Sequence, residues 1–125
     1  MTKAELREYR YYRKELHQLA DERRLLYTRA ERSTRSPDKA PTHGGENDPY
    51  PAIMDKLSTI EKMENEIKAK LMDFEKAIRP LSSRERYLMR LYYMQAKEWF
   101  DIMDEMHYSW SHIHRIHASA LKKMG

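Results

Sequence analysis

Residues 50–81 read YPAIMDKLSTIEKMENEIKAKLMDFEKAIRPL, and apolar side chains recur in this stretch at alternating intervals of three and four residues. The ten positions of this seam are Tyr50, Ile53, Leu57, Ile60, Glu64, Ile67, Leu71, Phe74, Ile78 and Leu81. Such a spacing, sustained over more than four heptads, is typical of a coiled coil. Glu64 is the one charged seam residue, and we expect it to weaken the seam and to help fix its register.

A weaker stripe runs through residues 2–32, a stretch without proline or glycine. Its positions are Leu6, Tyr9, Tyr12, Leu16, Leu19, Arg23, Leu26 and Ala30, and Arg23 interrupts it. Between the two stripes, residues 33–49 (STRSPDKAPTHGGENDP) hold three prolines and two adjacent glycines, which predicts a loop. The sequence therefore predicts an all-α fold with a long antiparallel helical hairpin or coiled coil. Pairing of residues 50–81 with a second copy of the chain is the alternative, and both arrangements can coexist in a dimer.

Pro80 should end the second long helix, because the residue before a proline disfavours the α conformation. A new helix start follows at once, since Ser82 and Glu85 have the spacing of a capping box. Three short helices are predicted beyond it, at about 83–94, 96–106 and 110–124. We therefore expect two domains, a helical region at 1–79 and a compact domain at 80–125.

Only His107, Tyr108 and Ser109 separate the last two predicted helices. A turn of this length predicts a helix-turn-helix whose second helix enters the DNA major groove, with Ser109 as its N-cap. The predicted inward positions are Trp99, Ile102, Met103 and Met106 in the first helix, and Ile113, Ile116, Ala120 and Leu121 in the second. The predicted outward positions of the second helix are Trp110, Ser111, His112, His114, Arg115, Ala118 and Lys122.

These outward side chains suit the recognition of DNA. Arg115 can pair with a guanine edge or hold a phosphate, and serine hydroxyls and neutral histidines can bond to base edges. The ring of Trp110 can lie against sugar or a thymine methyl. Lys122 and Lys123 suit phosphate contacts, and they equally suit the negative end of the helix dipole.

Residues 81–124 (LSSRERYLMRLYYMQAKEWFDIMDEMHYSWSHIHRIHASALKKM) resemble region 4 of the bacterial sigma-70 family. The resemblance lies in the L-[ST]-x-R-E-R opening, the W-x-x-I stretch and the Y-S-x-S-H-[IV] turn. The chain is still more similar to phage late transcription regulators of the ArpU/RinA-like group, which place this domain after a charged helical region. They often carry a Ser-Pro…Gly-Gly loop like SPDKAPTHGG at 36–45. The N-terminal eighty residues share only this architecture and loop composition.

The resemblance implies a sequence-specific double-stranded-DNA-binding regulator that activates phage late genes for packaging, morphogenesis or lysis. It implies a homodimer formed through the helical region, with host RNA polymerase as a second candidate partner. The implied recognition contacts fall on Ser109, Trp110, Ser111, His112, His114 and Arg115, and the implied phosphate contacts on Arg84 and Arg86. Two positions depart from the family, because Met103 stands where a small residue is usual and His107 where glycine is usual.

Three alternatives use the same domain differently. A sigma-like module would bind DNA only together with RNA polymerase. A small terminase-like packaging protein would form a ring of many subunits. A protein-interaction module would have lost DNA binding altogether.

The clustered histidines offer a metal site as a further alternative. His114 and His117 are three residues apart on one helix face, and His112 or His107 could add a third ligand. The absence of cysteine and the nearby charge of Arg115 oppose a cation site. Neither a nucleophile motif nor a glycine-rich phosphate loop is present, so we expect no enzyme activity and no cofactor.

The composition of the chain indicates the kind of partner and the cellular compartment that we expect. The formal net charge of +4 and the pI of about 9.2 favour a polyanionic partner. The apolar runs fall far short of the ~20 residues that span a bilayer, and the charge-rich first twenty residues resemble no signal peptide. These features predict a protein of the cytoplasm, the bacterial host's cytoplasm if a phage encodes it, with no membrane contact.

Overall fold

The structure, a computed structural model, describes residues 1–34 and 47–125, and in these ranges it is all-helical without strands. Its elements are α1 (Lys3–Thr34), α2 (Tyr50–Ile78), α3 (Ser83–Met89), a π-helical segment (Arg90–Met94), α4 (Trp99–Met106) and α5 (Trp110–Met124). The predicted all-α class is confirmed. Most of the loop predicted at 33–49 lies outside the described residues, but α1 continues through two of its positions, Ser33 and Thr34.

The described residues divide by packing into two compact units. Unit 2 is Leu16–Ile67, and its buried apolar side chains are seam residues of both stripes, namely Leu19, Leu26, Ile53, Leu57, Ile60 and Ile67. The two charged interruptions of the stripes meet inside this unit. The Nη1 of Arg23 donates a hydrogen bond to Oε1 of Glu64 at 2.9 Å, and Glu64 is only 4% exposed.

Unit 1 comprises Met1–Glu15 and Lys68–Gly125, so the beginning of α1 and the end of α2 share a core with the C-terminal helices. The buried side chains of this core are Leu6, Tyr9, Phe74, Ile78, Leu81, Leu88, Met89, Leu91, Tyr93, Ile102, Ile113, Ile116 and Ala120. The ring of Phe74 lies at its centre, with centroids 5.1 Å from Tyr9 and 6.2 Å from Tyr93. Unit 1 is therefore larger than the domain predicted at 80–125, because buried side chains of α1 and α2 belong to the same core as those of the C-terminal helices.

The start of α3 agrees with the sequence. α2 ends at Ile78, two residues before Pro80, and Ser82 caps α3 in a complete capping box with Glu85. The Ser82 hydroxyl accepts from the Glu85 amide at 3.3 Å, and the Glu85 carboxylate accepts from the Ser82 amide at 3.1 Å. This local exchange satisfies two amide groups that a helix N-terminus otherwise leaves unpaired.

The chain between α3 and α4 differs from the prediction. The helix expected at 83–94 becomes π-helical from Arg90, and the amide of Gln95 donates to the Arg90 carbonyl at 2.9 Å. Ala96 then adopts a left-handed conformation with φ of 52°, and α4 begins at Trp99. The predicted helix start at 96 was therefore wrong, because a left-handed residue cannot continue a right-handed helix.

Arg10 of α1 gives the physical reason for this irregular connection. Its Nη1 donates to the carbonyl oxygens of Tyr92 at 2.9 Å and Lys97 at 3.2 Å. Its guanidinium also lies 4.0 Å from the centre of the Tyr92 ring and pairs with Glu98 at 3.2 Å. Because the guanidinium supplies partners for these carbonyls, the backbone does not need a regular helix there to satisfy them.

Candidate nucleic-acid interface

The turn between α4 and α5 contains one residue with a left-handed backbone conformation. His107 adopts the left-handed conformation, with φ of 57° and ψ of 42°, at the position where the resembled family usually has glycine. Ser109 caps α5, and its hydroxyl accepts from the His112 amide at 3.2 Å, so the predicted N-cap is confirmed. The hydroxyl of Ser109, also predicted to contact DNA, is therefore engaged in the cap.

Three residues of the inward stripe predicted for α5, Ile113, Ile116 and Ala120, are buried, and the fourth, Leu121, is half-buried. Five of the residues predicted to point outward are exposed: Trp110, Ser111, Arg115, Ala118 and Lys122. The other two, His112 and His114, are half-buried, so they are less exposed than predicted. Their rings pack against other aromatic rings. The centroid of the His112 ring lies 4.2 Å from that of Tyr108, and the centroid of the His114 ring lies 4.7 Å from that of Trp99.

An open groove of about 600 Å³ lies between the start of α3 and one side of α5. Arg84, His112 and Arg115, all predicted from the sequence, line it together with Ser82, Ser83 and Ser119. Arg84 is exposed, and its guanidinium lies 5.5 Å from the centre of the Tyr108 ring. Arg115 is exposed and has no ion-pair partner within the described part of the chain. The groove therefore presents two guanidinium groups and the hydroxyls of Ser82 and Ser83, which suit an anionic ligand, while the Ser119 hydroxyl donates to Glu85.

Glu85 forms part of the groove wall and binds one of the predicted cations. Its buried carboxylate accepts from Nζ of Lys123 at 2.8 Å and from the Ser119 hydroxyl at 3.2 Å. The hydrogen bond from Lys123 contributes most to lowering the pKa of Glu85 to about 2, with further help from Ser82 and Ser119 against the effect of burial. Lys123 thus has an internal partner, whereas Lys122 remains exposed in the last turn of α5.

Arg86, the second implied phosphate contact, is also used within the fold. Its guanidinium donates to the carbonyl oxygens of Leu81 and Arg79, the latter at 3.4 Å, and to the Ser83 hydroxyl at 3.2 Å. These bonds close the turn between α2 and α3. The two arginines therefore have different roles in the structure. Arg84 lines the groove, whereas Arg86 is hydrogen-bonded to the backbone between α2 and α3.

Comparisons of the chain with protein-family models, with curated proteins and with solved structures gave no match. Over residues 1–34 and 47–125, no three side chains of His, Cys, Asp or Glu come together in a way that could hold a metal ion. No helix in those ranges combines the length and the apolar character needed to cross a membrane.

Several residues of this region were not singled out from the sequence. Ser119 lies one helical turn after Arg115, and this spacing is a signal that could have placed it in the groove. Phe100 is 71% exposed, and its ring lies 5.7 Å from that of Trp110, which is 46% exposed. No sequence signal marks Phe100, because its burial depends on how α4 packs against α5.

His117, considered from the sequence as a metal ligand, packs against aromatic side chains of unit 1. Its Nε2 forms a hydrogen bond with the Tyr93 hydroxyl at 2.8 Å, and its ring packs 4.9 Å from that of Trp99. Burial, assisted by the charges of His114 and Lys3, lowers the pKa of His117 to about 4. His117 is therefore a half-buried residue that is neutral at neutral pH.

This burial predicts an acid-sensitive stability. The pKa of His117 is near 6.5 in the unfolded chain and about 4 in the folded one, so only the unfolded chain takes up this proton between those values. The contribution is fully present above pH 6.5 and is lost as the pH falls toward 4. Urea unfolding across this range should show a falling midpoint, and His117→Gln should flatten it. Parallel curves for the two proteins would contradict this assignment.

Proposed function

We propose that the chain is a sequence-specific double-stranded-DNA-binding transcription regulator, an activator of phage late genes. The observation that supports DNA binding most directly is the groove, in which Arg84 from α3 and Arg115 from α5 face the same open space. These arginines are far apart in the sequence, and neither has an ion-pair partner within the described residues. The regulatory role and the late-gene target rest on the sequence resemblance alone.

The distribution of charge supports α5, rather than α4, as the element that faces DNA. The exposed side chains of α5 include Arg115 and Lys122, with the small residue Ala118 between them and the small residue Ser111 one turn before Arg115. Small side chains let a helix backbone approach a groove closely. The exposed side chains of α4 include Asp101 and Asp104, and these would repel phosphates.

The mechanism follows from this arrangement. α5 lies in the major groove, where Arg115 pairs with a base edge, while Arg84 and Lys122 hold phosphates on either side. A dimer places two such helices on two half-sites. Because phosphate contacts release counterions, the affinity falls steeply as the salt concentration rises.

The decisive experiment is selection of bound sequences from a random duplex library with the purified chain. We expect enrichment of one motif. A mass measurement of the same sample distinguishes the dimer from the ring expected of a terminase-like protein. A library that stays random after repeated rounds would refute the regulator proposal.

Alanine substitutions of Arg115 and Arg84 should change binding to the selected motif in different ways. We expect Arg115→Ala to weaken binding by ~1–2 kcal/mol and to relax the preference at one or two base pairs. Arg84→Ala should weaken binding to all duplexes alike and reduce the salt dependence by about one phosphate contact. Arg29→Ala is the matched control, because it removes the same exposed charge from unit 2. The placement of α5 is wrong if Arg115→Ala and Arg29→Ala have equal effects on selection.

A further inference from the structure

The beginning of α1, which belongs to unit 1, carries its exposed charges on two separate edges. Lys3, Arg7 and Lys14 are exposed, and their spacing of four and seven residues keeps them on one side of the helix. Glu8 and Glu15 are also exposed, and they lie about 100° further around the helix. The three cations, here called the cationic edge, have no ion-pair partner within the described residues.

Contacts within unit 1 place the cationic edge beside α5. Arg10 lies on the same side of α1, and its guanidinium is 4.0 Å from the centre of the Tyr92 ring. That ring lies 5.8 Å from the ring of His117 in α5. Burial chiefly lowers the pKa of His117, and the charges of His114 and Lys3 add to the effect, so the first turn of α1 is near this side of α5.

The anionic side chains of α1 lie near α2 instead. The Nζ of Lys70 in α2 donates to the Tyr12 hydroxyl at 3.1 Å. This hydrogen bond chiefly raises the pKa of Lys70, and the charge of Glu8 contributes to the same shift. The beginning of α1 thus keeps its anions on the α2 side and its cations on the α5 side. Such a separation concentrates positive potential beside α5, which suits a polyanion that lies along this helix.

The cationic edge and the groove flank α5 on opposite sides. Ser119 lines the groove together with Arg84, whereas His117 lies on the side of α1, and two residues of an α-helix correspond to a rotation of ~200°. The major groove is ~12 Å wide and an α-helix with its side chains is ~10–12 Å across, so a helix in the groove has a phosphate strand along each side. Arg84 is positioned for one of these strands, and the cationic edge lies on the side of the other.

We propose that the cationic edge of α1 binds phosphates of the DNA strand that lies on the side of α5 away from Arg84. This inference rests on the proposed function and adds a second phosphate-binding surface outside residues 80–125. The sequence resemblance implies only dimer formation for the helical region at 1–79. The edge spans ~16 Å of helix and contacts phosphates without reading bases, so it raises the affinity and its salt dependence but does not change the motif.

The first test removes the three charges of the cationic edge together, in the triple variant Lys3→Gln, Arg7→Gln, Lys14→Gln. We expect this variant to bind the selected duplex roughly tenfold more weakly and to select the same motif. The slope of log affinity against log salt concentration should become shallower by about two to three. The matched control removes the same kinds of charge from exposed positions of unit 2, in Arg29→Gln, Lys56→Gln, Lys62→Gln. Equal salt slopes for the two triple variants would overturn the inference, because net charge would then explain the effect.

The second test moves charge around α1 without changing the net charge. The double variant Arg7→Glu, Glu8→Arg exchanges a cation and an anion between two adjacent exposed positions, so the cation moves from the α5 side toward α2. We expect roughly threefold to tenfold weaker binding of the selected duplex, since one phosphate contact is replaced by a repulsion. A double variant that binds as tightly as the parent would contradict the placement of Arg7 beside the phosphates.

Ethylation interference, which blocks single phosphates, shows which strand each surface contacts. Within one half-site, the triple variant of the cationic edge should become insensitive to ethylation on one strand, and Arg84→Ala on the other. Loss of sensitivity at the same phosphates in both variants would refute the placement on opposite strands.

These outcomes separate the inference from the function on which it rests. If the parent chain enriches no motif, the proposed function fails and the inference falls with it. If the parent enriches a motif and the triple variant of the cationic edge keeps the parent's affinity and salt dependence, DNA binding stands and only the inference is overturned.

Discussion

Replacing Arg23 with methionine is expected to lower the free energy of unfolding by about 2–3 kcal/mol, because it leaves the Glu64 carboxylate buried without its partner. Glu64 is 5% exposed at its side chain, and Arg23 donates to it at 2.9 Å. Removal of one member of a buried pair usually costs more than this. We expect a smaller loss here because the Arg23 side chain is 38% exposed, so water screens part of the interaction.

The double variant Arg23→Met, Glu64→Leu should recover most of that stability, because it replaces the pair with an apolar contact. Urea unfolding monitored by circular dichroism at 222 nm measures all of these changes. Arg24→Met is the matched control, since Arg24 pairs with Asp21 where both side chains are more than 60% exposed. It should change stability by less than about 0.5 kcal/mol. If the double variant is as unstable as Arg23→Met, the burial of Glu64 does not cause the loss.

Replacing Arg10 with methionine is expected to destabilise unit 1 by about 2–3 kcal/mol. The side chain of Arg10 is 18% exposed, and its guanidinium holds the carbonyl oxygens of Tyr92 and Lys97 beside the π-helical segment. Loss of two charged hydrogen bonds and of the cation–π contact with Tyr92 accounts for the magnitude. The pair with Glu98 adds little, because that side chain is 75% exposed.

The Arg10→Lys variant distinguishes the contribution of the guanidinium geometry to stability from that of the positive charge. A lysine keeps the positive charge, but its single ammonium cannot bridge two carbonyls while it stacks flat on a ring. We therefore expect Arg10→Lys to lose more than half of the stability that Arg10→Met loses, measured by thermal unfolding. Arg13→Met, an exposed change on the same helix, is the control. A lysine variant as stable as the parent would mean that charge alone is sufficient.

The regular helices were predictable because their signals are local. The spacing of apolar residues placed α1, α2 and α5 within a few residues, and the Ser82–Glu85 box marked the start of α3. The π-helical segment was not predictable, since Arg90–Met94 alone reads as ordinary helix. Its carbonyl contacts come from Arg10, more than eighty residues earlier in the chain. The sequence shows Arg23 and Glu64 as interruptions of their apolar stripes. Only the packing shows that the two side chains form an ion pair.

The candidate interface was predictable as a region and less so by residue. Arg84 and Arg115 face the groove as their positions suggested, whereas Arg86 and Lys123 have partners inside the fold. Sequence spacing assigns a side chain to a face of its own helix. It does not reveal a backbone carbonyl or a carboxylate that another element brings within reach. For the same reason, the packing of the His114 ring against Trp99 could not be foreseen.

The distribution of tryptophan makes the two units optically distinguishable. Trp99 and Trp110 both belong to unit 1, and unit 2 contains no tryptophan. Tryptophan emission therefore reports only the unfolding of unit 1, while the far-ultraviolet signal of helices arises from both units. Recording both signals in one titration therefore shows whether unit 1 unfolds together with the rest of the helical chain or at a different urea concentration.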